Sequence, residues 1–544
     1  MDFTAAYRAT ALCYSPGSTF LASLSGGAGG QVVLVRAALS LAVVRTWSLP
    51  LRIASLSWSP DGAYLLAVAL ADATIFVLSL DPAREAQRGE DAGEGWVARI
   101  QAGAEGLVAA QWAPHAASHT VLCFSEDQLR VSAYELATQR TTLLEAPKTA
   151  KAYGNPQHAS FALLQRANGK DGISVLSHST QATRPAWTLS ESFAVATNDA
   201  ADLAWAPSGL SLAVWESALE YKLHIYTLSG FLRATFAIGA LEGHVESSGP
   251  GGSDAPQPRL AASGSVRRRN DDEAEALRRV AGGALGIRTV VWSPNGKMLA
   301  VGGYDEQVRV LEDANWEEMA TLDHAKRSIM PTPAARHEAY GELIAWREPS
   351  RWIEETGGRG IVPYERGSLP AAPAALRVDH AKANPKVGVH WLAWSPDGTL
   401  LATRNENVPA CLYIWAFPSD SDSAGAESTP YLLALLSQSA AIEHAAWRPA
   451  AASHDGGSGG ATLALLAGGA ALYLWRREDA QREGTRQRAE AVPVPIDDFA
   501  ASELLWSPDG QKVTLLDGRK GAFCCAIDAP DEASFASHES VDER

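Results

Sequence analysis

The sequence predicts an all-β fold, a β-propeller built from about nine similar units. A short turn phrase returns along the chain, and each copy stands between two apolar runs of strand length. The phrase starts with an aromatic residue and continues with Ser or Ala, Pro, a polar residue and Gly, in full or shortened form, at Tyr14, Trp58, Trp112, Trp205, Trp292, Trp394, Trp447 and Trp506. Pro and Gly favour a tight turn, and the aromatic residue is expected to pack in the core.

The spacing of the copies indicates which repeat they form. Where the rhythm is unbroken, neighbouring aromatic residues lie 44 to 59 residues apart, counting Phe161 as a worn ninth copy without the proline. This spacing is near the length of a four-stranded propeller blade. The segments alternate or run apolar for only short stretches, which favours strands over helical repeats. In the second unit the strands are expected at 56–58, 64–70 and 74–80, and similar third strands such as KLHIYTL and CLYIW indicate a WD-type propeller.

The two chain ends predict how the ring closes. The last unit supplies three strands, LLW, QKVTLL and GAFCCAI, whereas the N-terminal segment DFTAAYRA has no partner in its own unit. We expect this segment to complete the last blade, because closure removes an exposed sheet edge. The prediction is one closed ring. Two smaller rings, or an eight-bladed ring with one unit miscounted, stay open as alternatives.

Two long intervals interrupt the repeat within a propeller that spans 1–530. The interval 242–285 is rich in Gly, Ser, Pro and charge, and we expect it to be disordered. The interval 325–387 contains more Trp and apolar residues than a linker requires, so we expect part of it to pack on the ring. Residues 531–544 form an acidic tail that we expect to be flexible.

Composition excludes several classes of function. The net charge of −16 argues against nucleic acid as the main partner, because a phosphate backbone requires a basic face. The longest apolar runs are interrupted by Arg and Pro before the roughly 20 residues that span a bilayer, and the N-terminus lacks the pattern of a signal peptide. The five Cys are odd in number and scattered, which fits free thiols in a reducing, cytoplasmic compartment.

The motifs of common enzymes are missing from the sequence. It contains no GxxxxGK[ST] loop, no CxxC pair and no HExxH, and the glycines at 26–30 fall in an expected strand-to-strand turn. His158, His178 and His224 are dispersed and fit surface or strand positions better than a catalytic triad. We therefore predict a non-enzymatic protein with no catalytic, cofactor or metal-binding residues.

Polar clusters in turns are the candidate partner contacts. Glu220, Tyr221 and Lys222 form a tight turn in a strongly apolar unit. Asn384 and Lys386 lead into the seventh unit, and Arg404, Asn405 and Asn407 form its next turn. These two segments are expected to meet on one rim of the ring, either as a binding surface or as a hydrogen-bonded turn network that orders the insertion.

Three stretches carry a resemblance to a known family. Residues 203–230 (LAWAPSGLSLAVWESALEYKLHIYTLSG), 290–311 and 383–415 resemble the WD-repeat family of centrosome and spindle-pole-body proteins, as does the opening MDFTAAYRATALCYSPGSTFLAS. The order and number of units are also similar, including a long insertion before the ANPK segment. The insertion at 242–285 departs from the family pattern.

The resemblance implies a scaffold at the microtubule-organising centre. Members of that family work with a coiled-coil partner that anchors microtubule minus ends, and some join a kinesin-14 motor through the same complex. The implied location is the cytoplasm, at the spindle pole body or centrosome, in support of spindle organisation. The alternative is a generic WD-repeat adaptor of another assembly, such as a ubiquitin ligase or an RNA-processing complex.

Overall fold

The strands of this computed structural model form nine sheets in chain order. The structure describes the chain outside residues 1–3, 5, 28–29, 82–96, 116–118, 146, 180–185, 239–285, 332–340, 358–359, 377–386, 419–428, 451–460, 470, 478–486, 497, 518–520 and 527–544. The predicted disordered insertion and the acidic tail therefore lie outside the described residues. Helix is almost absent from the described part of the chain, which agrees with the predicted all-β class.

Each sheet contains an antiparallel blade whose strands follow one another in sequence, and the sheets of blades 7 and 8 also include strands of the preceding insertion. The strands of blades 1 to 3 are β1 (Ala11–Tyr14), β2 (Phe20–Gly27), β3 (Gly30–Ala37), β4 (Val43–Leu49), β5 (Ser55–Trp58), β6 (Tyr64–Ala69), β7 (Thr74–Ser79), β8 (Ala98–Gln101), β9 (Ala109–Trp112), β10 (Thr120–Phe124), β11 (Arg130–Glu135) and β12 (Arg140–Glu145). A 3₁₀ turn at Gly103–Glu105 precedes blade 3. Blades 4 to 6 are β13 (Tyr153–Gly154), β14 (Ser160–Ala167), β15 (Lys170–Ser179), β16 (Ala186–Ala194), β17 (Ala200–Trp205), β18 (Ser211–Glu216), β19 (Lys222–Thr227), β20 (Leu232–Ala237), β21 (Ile287–Trp292), β22 (Met298–Gly303), β23 (Gln307–Glu312) and β24 (Glu318–Asp323).

The last three blades contain the remaining strands. Between blades 6 and 7 the insertion forms β25 (Ile344–Arg347), helix α1 (Trp352–Thr356), β26 (Val362–Pro363) and β27 (Glu365–Arg366). Blades 7 to 9 are β28 (Val389–Trp394), β29 (Leu400–Asn405), β30 (Cys411–Ala416), β31 (Tyr431–Ser437), β32 (Ile442–Trp447), β33 (Thr462–Ala467), β34 (Ala471–Arg477), β35 (Gln487–Pro493), β36 (Glu503–Trp506), β37 (Lys512–Asp517) and β38 (Gly521–Ala526).

The repeated phrase forms the turn between the first and second strands of a blade. In blade 2 the amide of Ser59 donates to Tyr64 O at 2.8 Å, and the Ser59 hydroxyl donates to Asp61 at 2.6 Å. Gly62 closes the turn with φ of +70°, a left-handed conformation that favours glycine over residues with a Cβ. The phrase therefore returns because each blade requires the same local geometry.

The repeat tryptophans join consecutive blades. In seven blades the indole Nε1 of this Trp donates to a carbonyl in the first strand of the preceding blade, over 2.9–3.4 Å, the donors being Trp58, Trp112, Trp205, Trp292, Trp394, Trp447 and Trp506. Their rings are at most 9% exposed in every blade but the last, where Trp506 is partly buried. Blade 4 is joined to blade 3 by Trp187, whose Nε1 donates to Thr120 at 3.0 Å. The blades thus follow one another around a single ring.

The N-terminal segment closes this ring, as predicted. Tyr7 and Ala522 exchange two backbone hydrogen bonds of 3.0 and 2.7 Å, which places Tyr7 beside β38 as the fourth strand position of blade 9. Blades 1 and 9 also meet through Tyr14 and Thr514, whose hydroxyl oxygens lie 2.6 Å apart. One nine-bladed ring is therefore present, and the alternatives of two rings or eight blades are wrong.

The prediction for blade 4 placed the turn in the wrong position. Phe161 is a buried residue of the second strand, β14, and the turn lies earlier, at Gly154, Asn155 and Pro156. The amide of Asn155 donates to Ser160 O at 2.9 Å, which repeats the turn bond of the other blades. Gly154 stands where the other blades carry an aromatic residue, and Pro114 of blade 3 fills the space, because a Cβ on Gly154 would lie 2.5 Å from Pro114 Cβ.

Part of the second insertion packs on the outside of blades 7 and 8. We call residues 343–357 and 360–367 the clamp. Strand β25 pairs in parallel with β31 of blade 7, and β26 pairs with β35 of blade 8. Trp346, Trp352 and Tyr364 are 3–6% exposed and belong to the same hydrophobic cluster as the cores of both blades. The clamp covers two outer sheet edges that would otherwise be unpaired.

A buried carboxylate fixes the clamp in position. Glu348 accepts hydrogen bonds from the indole of Trp352 at 2.9 Å, the hydroxyl of Tyr473 at 2.7 Å, and the amide and hydroxyl of Ser439 at 2.7 and 2.6 Å. The residue is 7% exposed. Burial favours a higher pKa for Glu348, but the bonds from Ser439, Tyr473 and Trp352 outweigh it and hold the pKa below its ordinary value.

Candidate partner-binding surface

The antiparallel blades give the ring two faces that carry different sets of turns. Turns between strands one and two, and between strands three and four, lie on the same face, which we call the Pro-turn face. Turns between strands two and three, and the links between blades, lie on the opposite face, which we call the linker face.

Among the described residues no helix is long and apolar enough to cross a membrane.

The predicted contact at Glu220, Tyr221 and Lys222 lies on the linker face of blade 5. Tyr221 is 6% exposed, and its hydroxyl accepts a hydrogen bond of 3.0 Å from Arg309 of blade 6, so it offers little surface to a partner. The side chains of Glu220 and Lys222 are paired at 2.5 Å and stay partly exposed. A partner contact through Glu220 and Lys222 stays a prediction.

The turn that contains Arg404, Asn405 and Asn407 is tied into the ring by hydrogen bonds. The guanidinium of Arg404 donates to the backbone oxygens of Ile442 and Glu443 in blade 8, and burial lowers the pKa of Arg404 to about 10. Arg404 thus joins blades 7 and 8 from a partly buried position, and a partner contact through Arg404 stays a prediction.

The same turn also orders the entry into blade 7. Asn405 is fully buried and donates to Glu306 at 2.6 Å. Asn407 accepts from the amide of Gly388 at 2.9 Å, so the turn does meet the end of the insertion. This geometry favours the turn network over the binding surface. Asn384 and Lys386 lie outside the described residues, and their predicted partner contact stays a prediction.

The described residues offer little catalytic chemistry. No group of three or more His, Cys, Asp or Glu side chains in this part of the chain is placed to hold a metal ion. Burial raises the pKa of the Cys13 and Cys123 thiols to about 12, which disfavours the nucleophilic thiolate. His158 and His178 belong to blade 4 and His224 to blade 5, where the ring of His224 lies 3.0 Å from the Thr235 hydroxyl.

An exposed apolar patch lies on the Pro-turn face of blade 5. It consists of Leu210, Phe231 and Leu232, which are 58%, 72% and 48% exposed. The two turns that carry them are joined, because the amide of Leu228 donates to Leu210 O at 3.1 Å. The ring of Phe193 from blade 4 packs beneath the patch, where a Cβ on Gly230 would lie only 2.5 Å from it.

The position of Leu210 is polar or small in four other blades, whereas the position of Leu232 is apolar in blades 1, 4 and 7, as Val43, Leu189 and Leu432. The residue after the turn glycine is Leu210 in blade 5 but Ala63, Lys297, Thr399 and Gln511 elsewhere. In blade 6 the bond from Glu312 to Glu317 corresponds to that from Thr227 to Phe231, so Glu317 and Glu318 replace Phe231 and Leu232. The fold itself does not require an apolar surface here.

The sequence analysis does not predict this patch, because it takes polar residues in turns as the candidate partner contacts. The signal was present in the sequence, since WAPSGL is the copy of the phrase that places a large apolar residue directly after its glycine. Arg233, next to the patch, is exposed and makes no ion pair with the described residues, although its guanidinium lies 3.4 Å from the Ser211 hydroxyl. The patch thus combines large apolar side chains with an available cation.

Comparisons with known proteins agree with the repeat. The family "WD domain, G-beta repeat" matches residues 277–311. The mouse protein "WD repeat-containing protein WRAP73" is 25% identical over 98% of both chains. An uncharacterized WD repeat-containing protein of fission yeast, C32H8.09, is 30% identical over 140 residues, which are 25% of this chain and 28% of that protein.

Solved propellers are more distant. Sqt1 from Chaetomium thermophilum is 12% identical with a TM-score of 0.43 and covers 96% of both chains. The C-terminal WD40 domain of Sif2 is 9% identical with a TM-score of 0.43 and covers 97% of this chain and 99% of that one. These scores are low, and the blade count comes from the strands of this chain. The chain is similar to WD-repeat proteins, and its strands form a nine-bladed β-propeller.

Proposed function

We propose that this protein is a non-enzymatic scaffold at the spindle pole body or centrosome, where it binds a coiled-coil protein that anchors microtubule minus ends. The observation that carries the proposal is the apolar patch on blade 5, in which Leu210 occupies a position that is polar or small in four other blades. Large grouped apolar side chains on a surface are typical of protein interfaces. The assignment to the spindle pole rests on the resemblance of residues 203–230, 290–311 and 383–415, and the first of these stretches contains Leu210.

A helix of the coiled-coil partner fits the chemistry of the patch. An amphipathic helix presents apolar residues at positions i, i+3 and i+4, and these can cover Leu210, Phe231 and Leu232 together. An acidic residue beside that stripe can pair with Arg233. A kinesin-14 motor joins through the partner and requires no separate surface on this chain.

The test compares two faces of the same blade. A double variant, Leu210→Ser with Phe231→Ser, removes the patch, and Leu219→Ser serves as the control because Leu219 is 79% exposed on the linker face. Tagged proteins are purified from mitotic cells, their partners are identified by mass spectrometry, and pole localisation is imaged. Thermal melting establishes that each variant is folded.

We expect the double variant to melt with the parent but to lose the coiled-coil partner and the pole, while Leu219→Ser keeps both. A double variant that retains its coiled-coil partner contradicts the proposed surface. Recovery of ubiquitin-ligase or RNA-processing subunits by the parent, without a coiled-coil anchor, supports the adaptor alternative instead.

A further inference from the structure

A cleft of about 530 Å³ lies on the linker face between blades 1 and 2. Its apolar wall includes Leu24, Ile53 and Leu70, and its polar rim includes Thr10, Gln31 and Arg52. The cleft is remote from the apolar patch, because it lies on the opposite face and between different blades. It is large enough to admit a side chain of a bound peptide together with its backbone.

The cleft opens beside Leu24 of blade 1. The equivalent residue is also Leu in blades 4, 8 and 9, whereas blades 5, 6 and 7 carry Trp, Gly and Arg there. Tyr14 pairs with Leu21, and Leu24 follows three residues later. The equivalent residue is Trp215 in blade 5, which packs with Ile287 of blade 6. In blade 7 the equivalent residue is Arg404, which reaches the backbone of blade 8.

Blade 6 closes the same gap with backbone. Its equivalent residue is Gly302, where a Cβ would lie 3.0 Å from Val389 O of blade 7. Leu24 is 1% exposed and packs with Ile53 in the core of blades 1 and 2, so these two residues form the floor of the cleft. At these three other junctions a larger side chain or a close backbone contact occupies the corresponding position.

The rim of the cleft favours an acceptor group on the ligand. Arg52 is exposed and makes no hydrogen bond or ion pair with the described residues. The side-chain oxygen of Gln31 accepts from the amide of Ile53, which leaves the Gln31 amide nitrogen as a donor. In a chain of net charge −16, an available guanidinium beside an apolar wall is suited to a carboxylate.

We infer that this cleft binds a peptide segment of a second partner, in which a leucine-sized or aromatic side chain adjoins an acidic residue. The apolar side chain packs over Leu24, Ile53 and Leu70, and the carboxylate pairs with Arg52. The inference rests on the proposed scaffold function only in that the ligand is a protein. It does not depend on the coiled-coil partner or on the patch.

The test uses the purified full chain and a phage-displayed library of random twelve-residue peptides. Enriched peptides are synthesised, and their dissociation constants are measured by fluorescence polarisation. Leu24→Trp fills the cleft in the manner of Trp215, and Arg52→Glu reverses the rim charge at an exposed site that leaves the fold intact. Arg140→Glu is the matched control, because Arg140 is an exposed residue on the outer strand of blade 3.

We expect enrichment of a large apolar residue next to Asp or Glu, and a loss of affinity of about tenfold or more in Leu24→Trp and Arg52→Glu but not in Arg140→Glu. The variant Leu210→Ser with Phe231→Ser should bind these peptides normally, so a failure of the patch proposal is distinguishable from a failure of this one. The inference is overturned if no such pattern is enriched, or if Arg52→Glu binds the selected peptides as the parent does.

Discussion

Replacing Glu348 is the sharpest perturbation of the clamp. The change Glu348→Ala leaves two buried donors without an acceptor, the indole of Trp352 and the hydroxyl of Tyr473, in residues that are each 3% exposed. An unsatisfied buried donor costs about 1–3 kcal/mol, so the loss lies between about 2 and 6 kcal/mol. We expect about 3 kcal/mol, because the clamp lies at the outer surface and water can replace part of the lost bonding. Ser439 is exposed, and its donors can return to water.

The isosteric change Glu348→Gln should cost less, about 1–2 kcal/mol, because the carboxamide still accepts but its bonds are no longer charge-assisted. The comparison with Glu348→Gln also isolates the pH dependence of stability that comes from Glu348. The folded pKa of Glu348 lies below its ordinary value of 4.5, so its contribution to stability is complete above that value and is lost as the pH falls through the lowered folded pKa. Glu348→Gln should abolish this acid-dependent loss.

The assay is hydrogen exchange across residues 343–367, together with denaturant unfolding at pH 7 and in the acid range. The matched control is Glu342→Ala, because Glu342 is an exposed residue of the same segment whose ion pair with Arg366 spans 3.7 Å. Such a surface pair contributes about 0–1 kcal/mol. If Glu348→Ala unfolds with the parent and the exchange of the clamp is unchanged, the carboxylate does not hold the clamp.

Three other predictions concern the ring itself. Deleting residues 2–8 should destabilise blade 9 and cause aggregation, because Ala522 loses its pairing partner; a soluble truncation of unchanged stability contradicts this. Trp394→Ala should cost about 3–5 kcal/mol in chemical unfolding, as a large-to-small change of a residue that is 7% exposed, and an unchanged midpoint would refute it. Arg404→Glu should lower the melting temperature, because it turns a carboxylate toward the Ile442 oxygen; melting with the parent would mean that Arg404 is free in solution.

The blades could be predicted from the sequence because their turns depend on local chemistry. Ser59, Asp61 and Gly62 bond to each other or to backbone within a few residues, so their pattern is visible in a single copy. In blade 4 the sequence predicts the turn at the wrong position, because the predicted copy depends on an aromatic residue and this blade has Gly154 there. The turn itself uses the backbone amide of Asn155, and this bond forms equally well after Gly154.

The site residues could be predicted less well, because their environment comes from the next blade. Tyr221 and Arg404 stand in polar turns, which favour exposed side chains. In the structure Arg309 donates to the hydroxyl of Tyr221, and Arg404 donates to the backbone of blade 8. The residues near Tyr221 and Arg404 in the sequence do not indicate these contacts, because the partners belong to the next blade. For the same reason the cleft beside Leu24 could not be predicted, because its lining residues come from both blade 1 and blade 2.

The position of the clamp explains why function is expected elsewhere on the ring. The outer strands of blades 7 and 8 pair with the clamp. The outer edges of these two blades are therefore covered by a contact within the chain. The apolar patch belongs to blade 5 and the cleft to blades 1 and 2, on opposite faces. A rigid ring keeps two such surfaces at a fixed separation, so a helix on one face and a peptide on the other do not compete for space. A scaffold that joins two partners requires this separation, and the substitutions that test each surface should act independently.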